Sequence, residues 1–158
     1  MTRIVEGKPN GEGLRFALVV SRFNSVVTDK LLEGALEAMH KCGVVEQDLE
    51  IVRVPGSFEI PLTAKKLAES GRFDGIVCLG AIIRGETPHW DYLARAVAES
   101  IAMTTLESGV PLTLGVLTTE SSELALARAV PRGNNRGYDA AVTAVEMANL
   151  LRTLEGHR

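Results

Sequence analysis

Four short apolar runs recur along this chain, and each gives way to a polar turn and then to residues at helical spacing. That alternation constrains the fold more than any other feature. Repeated strand–helix units bury both elements when the strands lie parallel in one sheet and the helices cover its faces. The first run spans residues 15–20, and Val27, Leu31, Leu32, Ala35, Leu36 and Met39 then recur at helical spacing, with Gly43 at the helix end. The second run, 49–54, alternates; a helix through Leu62, Lys65, Lys66, Leu67 and Ala68 follows, closed by Gly71. The third, 75–79, ends in a turn starting at Gly80. Thr87 is a good N-cap there and Pro88 suits the first helical position, since its missing N–H would have no partner anyway. That helix runs to about residue 107, with Trp90, Leu93, Ala94, Val97 and Ile101 on one stripe and Gly109 at its end.

The fourth run is 110–117. Thr118, Thr119 and Ser121 offer caps for a short helix through Leu124, Leu126 and Val130. Residues 131–137 read as a flexible, basic loop. Ala141, Val142, Val145, Ala148, Leu151 and Leu154 then form the apolar face of a last helix. The expected fold is α/β: a three-layer α/β/α sandwich around a four-stranded parallel sheet. One domain covers 14–158, preceded by an arm, 1–13. The arm is polar and carries Gly7, Gly11 and Gly13. It reads either as a frayed end or, through Arg3-Ile4-Val5, as an edge strand for another chain.

A chain of 158 residues buries a sufficient core without staples. Its net charge of -3 gives no electrostatic case for nucleic acid. No apolar run approaches the ~18 residues that span a membrane, and the first residues lack a signal-peptide core. The expectation is a cytoplasmic protein in which Cys42 and Cys78 stay reduced. His40, His89 and His157 lack metal-ligand spacing, so no metal is expected. There is no G-x-x-x-x-G-K-[ST], no G-x-G-x-x-G opening a helix and no G-x-S-x-G elbow. No cofactor is expected.

In a parallel sheet the strand-to-helix turns share the carboxyl edge, where ligands of such folds bind. That gathers Phe23, Asn24, Ser57, Phe58, Glu59, Arg84, Thr87, His89 and Thr118 on one side. Phe23 lies outside both periodic patterns; it either folds back over the core or offers a flat platform to a planar ligand. Glu59, near a helix start, either complements the helix dipole or contacts a ligand. Gly85, Glu86 and Thr87 place backbone N–H groups at a helix N-terminus, which suits a phosphate. The Glu86 side chain can turn to solvent while its N–H points inward. Arg128 and Arg136 read as further anion contacts or as solvated surface charges. His89, beside that anion site, has an intrinsic pKa near ~6.5, suited to moving protons at neutral pH; a lone histidine is otherwise more often structural.

Four blocks carry a family resemblance: Ser21-Arg22-Phe23-Asn24; Pro55-Gly56-Ser57-Phe58-Glu59-Ile60-Pro61; Gly80-Ala81-Ile82-Ile83-Arg84-Gly85-Glu86-Thr87-Pro88-His89; and Gly115-Val116-Leu117-Thr118-Thr119-Glu120. In order and spacing they resemble the 6,7-dimethyl-8-ribityllumazine synthase family, over nearly the whole chain. The resemblance implies a flavodoxin-like sandwich and the penultimate step of riboflavin biosynthesis. There, 5-amino-6-(D-ribitylamino)uracil condenses with L-3,4-dihydroxy-2-butanone 4-phosphate, releasing phosphate and water, with no metal or organic cofactor. By position it implies that Phe23 stacks on the pyrimidine. Ser57, Phe58 and Glu59 hold the ribityl side, and Ala81, Ile82 and Ile83 meet the pyrimidine edge through the backbone. Glu86 and Thr87 bind phosphate, and His89 is the acid/base. Arg128 binds phosphate and Leu114 contacts the uracil, both from the adjacent subunit, while Arg136 stands near the phosphate.

Two positions depart from the pattern. Leu114 stands where phenylalanine is common, and Arg136 where lysine is, keeping the charge but changing the hydrogen-bond geometry. The resemblance also implies a homopentamer whose arm pairs with a neighbour's sheet, and riboflavin synthase as a candidate partner. Many members assemble twelve pentamers into an icosahedral shell; the short loop at 132–137 lacks the insertion of strictly pentameric relatives and favours the shell. A non-catalytic flavin- or lumazine-binding or shell-forming homologue is the competing reading, favoured by Leu114 alone. A phosphate-binding regulatory domain lacks the acidic cluster that phosphoryl acceptors need.

Overall fold

The computed structural model describes residues 1–85 and 89–156. The near-continuous apolar runs become the two central strands, β1 (Phe16–Ser21) and β3 (Gly75–Ile83), each buried along its whole length. The outer strands, β2 (Leu49–Val54) and β4 (Leu112–Thr119), alternate between covered and exposed positions. The order is β2-β1-β3-β4 with every pairing parallel. Central parallel strands covered on both faces read as unbroken apolar runs, and this explains the contrast between inner and outer strands.

Side chains alternate across the sheet and seed two cores. Phe16, Leu18, Val20, Val77, Leu79, Ala81 and Ile83 face α1 (Ser25–Lys41) and α5 (Arg136–Leu154). Ala17, Val19, Ile76, Cys78 and Ile82 face α2 (Ile60–Glu69) and α3 (Trp90–Ser108). The expected three-layer α/β/α sandwich is therefore observed. Burying one such aliphatic or aromatic side chain contributes roughly 1.5–3 kcal/mol. Among the described residues no helix is long and apolar enough to cross a membrane.

Helices α1 and α5 approach closely because their contact stripe is small. Ala35 and Ala38 of α1 and Ala141, Ala144 and Ala148 of α5 are all buried in the same core, and any side chain at Gly137 would run into the Leu31 carbonyl. Asn135 fixes the start of α5. Its Oδ1 accepts from the Tyr138 N–H at 3.0 Å, and its Nδ2 donates to the Lys30 carbonyl at 3.1 Å. Residues 131–135 form the expected loop, and hydrogen bonds tie it to the preceding segment. The Arg136 N–H donates to the Arg128 carbonyl at 2.8 Å, the Asn134 amide donates to the Ala127 carbonyl at 3.1 Å, and α5 already begins at Arg136. The short helix before it, α4 (Ser122–Ala127), ends three residues earlier than expected and is capped by the Ser121 hydroxyl.

Part of the arm is held to its own chain. The Asn149 amide donates to the Lys8 and Asn10 carbonyls at 2.6 and 2.8 Å, and the Gly11 N–H donates to the Cys42 carbonyl. Residues 1–6 take no regular structure within one chain, and Ile4 is exposed.

Candidate functional site

The site begins with a mismatch in strand length. β1 pairs with β3 only as far as Val20 opposite Leu79, whereas β3 stays paired with β4 out to Ile83 opposite Thr119. The turn expected at Gly80 is therefore strand. Gly80 is glycine for room, since a Cβ there would lie 2.6 Å from the Ser57 Oγ. Ala81, Ile82 and Ile83 project past the end of the β1 pairing with β4 on one side and, among the described residues, no strand on the other.

The turn after β1 fills part of that gap and leaves a notch of about 30 Å³, lined by Phe23, Asn24, Ser57, Ala81, Ile82, Ile83 and Leu93. Phe23 does not fold back over the core; it remains 52% exposed at the rim. Ser57 is buried at the start of a single 3-10 turn, Ser57–Glu59, that leads into α2. Phe58 and Glu59 in that turn are exposed. The Glu59 carboxylate lies over Gly56, and no side-chain cap bond ties it to α2.

His89 stands at the mouth of α3. It occupies the N-cap position with φ -119°, its carbonyl accepts from the Leu93 N–H at 2.8 Å, and its exposed ring lies 6.1 Å from that of Tyr92. The helix thus opens at Trp90, two residues later than expected, with His89 before its first turn rather than within it. The expected phosphate residues Glu86 and Thr87, and Pro88, lie outside the described residues. On either side of them the chain is braced. The Arg84 N–H donates to the Thr119 carbonyl at 2.9 Å, the Arg84 guanidinium pairs with Glu120 at 3.1 Å and lies 5.5 Å from the Trp90 ring. The Trp90 indole donates to the Ile82 carbonyl at 3.3 Å. Exposed ion pairs contribute about 0–1 kcal/mol, so the backbone and indole bonds carry most of this brace.

The other predicted residues lie elsewhere. Leu114, Arg128 and Arg136 line a groove of about 410 Å³ between β4 and α5, with Thr113, Asp139, Ala140 and Thr143. The backbone bond from Arg136 to Arg128 brings the two arginines together although they are eight positions apart. Leu114 is 55% exposed on β4, an edge strand of the sheet. The groove does not share its lining with the notch. One chain therefore presents two pockets on the adjacent strands β3 and β4 with no lining residue in common: a small notch at the end of β3 and a groove carrying arginines.

The thiols take no part in either cluster. Cys78 is fully buried on β3, and burial pushes it up to about 12, so it stays protonated and inert. Burial first, and the Glu146 carboxylate second, also raise Cys42. Among the described residues no group of three or more His, Cys, Asp or Glu could hold a metal ion.

A four-stranded parallel sheet covered by helices on both faces defines an α/β protein of the open-sheet class, whose ligands generally bind at the carboxyl edge of the strands. The match to known families is narrower. The family model of 6,7-dimethyl-8-ribityllumazine synthase covers residues 13–152, and the chain belongs to that family. It is a family of transferase enzymes that act on small-molecule substrates and assemble as oligomers.

Two details were not foreseen. Asn24, expected at the sheet edge, adopts a left-handed conformation, φ 64°, and its amide donates to the Ala81 carbonyl at 2.9 Å. Its signal was available, because asparagine between a strand and a helix tolerates that conformation better than other side chains. Leu93 lines the notch from α3, but at helical spacing it looks like any other core residue.

Proposed function

We propose that this protein condenses 5-amino-6-(D-ribitylamino)uracil with L-3,4-dihydroxy-2-butanone 4-phosphate to form 6,7-dimethyl-8-ribityllumazine, releasing phosphate and water. The observation that carries this reading is the notch, where an exposed ring stands opposite a strand end that no strand covers on the β1 side. A flat heterocycle stacked on Phe23 presents its edge to the backbone of Ala81, Ile82 and Ile83. Ser57, Phe58 and Glu59 receive its ribityl chain, with the Glu59 carboxylate accepting from hydroxyl groups. His89 moves the protons that imine formation, phosphate elimination and ring closure require. Glu86 and Thr87 hold the phosphate through backbone N–H groups. Much of the acceleration comes from holding two substrates together.

The second half of the site comes from the next subunit. Arg128 pairs with the phosphate, Arg136 stands near it, and Leu114 covers the uracil. That the arginine groove and the notch share no lining residue supports this arrangement. It accords with a cyclic homopentamer, in which one subunit's groove faces its neighbour's notch. Arg3-Ile4-Val5 adds a strand to a neighbour's sheet; residues 1–6 stand clear of regular structure in the single chain, as such a strand requires. The short 132–137 connection favours a shell of twelve pentamers, in the cytoplasm, with riboflavin synthase as the enzyme that takes up the product.

The test is direct. Purified protein mixed with both substrates forms the lumazine chromophore faster than the uncatalysed condensation; a rate no better than buffer overturns the reading. Leu114 favours one alternative, a flavin- or lumazine-binding homologue without turnover, because an aliphatic side chain stands where an aromatic is common in the family. Tight riboflavin binding with no chromophore formation would establish that alternative.

A further inference from the structure

The link between Asn24 and Ala81 spans 57 positions of sequence and closes the gap left by the end of β1. Left-handed backbone at a side chain other than glycine costs about 1–2 kcal/mol, least for asparagine and aspartate. Glycine would make this turn at lower cost, so the amide itself calls for an explanation. Its Nδ2 takes the Ala81 carbonyl on the side where β1 has ended. The Asn24 carbonyl meanwhile accepts from the Val27 and Thr28 N–H groups and opens α1. On the other flank, the Arg22 and Phe23 N–H groups donate to the Val54 and Pro55 carbonyls at 2.8 and 3.0 Å. Phe23 is thus hydrogen-bonded toward β2 by its own backbone, and among the described residues the turn's hydrogen bond toward β3 is the one from Asn24.

We propose that Asn24 is a positioning residue: by holding the Ala81 carbonyl it fixes the distance between the Phe23 ring and the strand end 81–83, and so sets affinity for the flat heterocyclic substrate. It acts through Phe23 and the strand end rather than on the reacting atoms. The inference rests on the reading of the notch as the heterocycle site. Asn24→Gly isolates the amide, because glycine accepts the left-handed turn. Losing one such bond from a preorganised platform corresponds to a rise of about 10-fold in KM for the ribitylaminouracil. The KM for the phosphorylated substrate changes by less than about 2-fold, and kcat falls less than KM rises. A purely structural role would instead lower thermal stability and move both KM values together.

The deciding experiment is a double-mutant cycle in the chromophore assay with Phe23→Ala, Asn24→Gly and the double variant. Residues acting as one unit give non-additive effects. In the Phe23→Ala background, Asn24→Gly therefore adds less than about 2-fold to the KM for the ribitylaminouracil. An active wild-type protein whose Asn24→Gly variant keeps the wild-type KM, or whose two substitutions multiply fully, overturns this inference alone. A wild-type protein that forms no chromophore overturns the functional reading and this inference with it.

Discussion

The notch at the end of β3 and the groove beside β4 hold the predicted site residues in opposite ways. The notch is about 30 Å³, walled by backbone and apolar side chains, and shaped by strands of unequal length. The groove is about 410 Å³, with Arg128 and Arg136 drawn together over an edge strand. Under the proposed function the first takes the flat ring and the second the anion. That reading brings one copy's groove against another copy's notch, so the comparison turns on whether the two halves act across an interface.

The largest expected effect tests the notch. His89→Ala should lower kcat by on the order of 10²-fold in the chromophore assay, the usual contribution of a positioned acid/base. The KM for the phosphorylated substrate should move little. If KM moves and kcat does not, His89 binds substrate and does not transfer protons.

The groove should respond in the other parameter. Arg128→Ala should raise the KM for the phosphorylated substrate about 10-fold or more, since a charge-assisted contact contributes roughly 1.5–3 kcal/mol. The KM for the ribitylaminouracil should stay near the wild-type value. A uniform loss on both substrates would blur the distinction between the two regions.

A smaller effect concerns how the groove is built. Asn135→Ala removes the cap of α5 and its tether to the Lys30 carbonyl. Chemical denaturation should show a loss of about 1–2 kcal/mol. The KM for the phosphorylated substrate should rise more than that for the ribitylaminouracil, because Arg136 lies next in sequence. The smallest change is Leu114→Phe, which should lower the KM for the ribitylaminouracil about 3-fold by adding ring contact worth roughly 0.5–1.5 kcal/mol. An unchanged KM would place Leu114 away from the heterocycle.

Much of the fold could be read from periodicity. The alternating run at 49–54 coincides with β2, and the central strands follow from their unbroken apolar character. Gly80 misled because glycine after an apolar run resembles a turn, whereas it is there to admit the Ser57 hydroxyl. The 131–137 segment is a loop up to Asn135, as expected, but its hydrogen bonds could not be foreseen: the Asn134 and Asn135 amides donate to the Ala127 and Lys30 carbonyls. Single residues serving distant backbone groups leave no periodic trace. The candidate site was legible as a set of residues at turns. Its division into two groups came only from the family resemblance, because spacing along a chain does not reveal that β4 lies at the sheet edge.

Complementation between subunits tests the central claim most directly. His89→Ala and Arg128→Ala chains, each impaired alone, are unfolded together and reassembled at equal ratio. If each site joins one subunit's notch to its neighbour's groove, about a quarter of the interfaces combine two intact halves. Assayed with the phosphorylated substrate well below its wild-type KM, where both variants are impaired, activity should then rise to about a quarter of that of wild-type protein treated the same way. A mixture no more active than the mean of the two variants, with mixed assemblies verified by mass, would contradict the account and return the whole site to one chain.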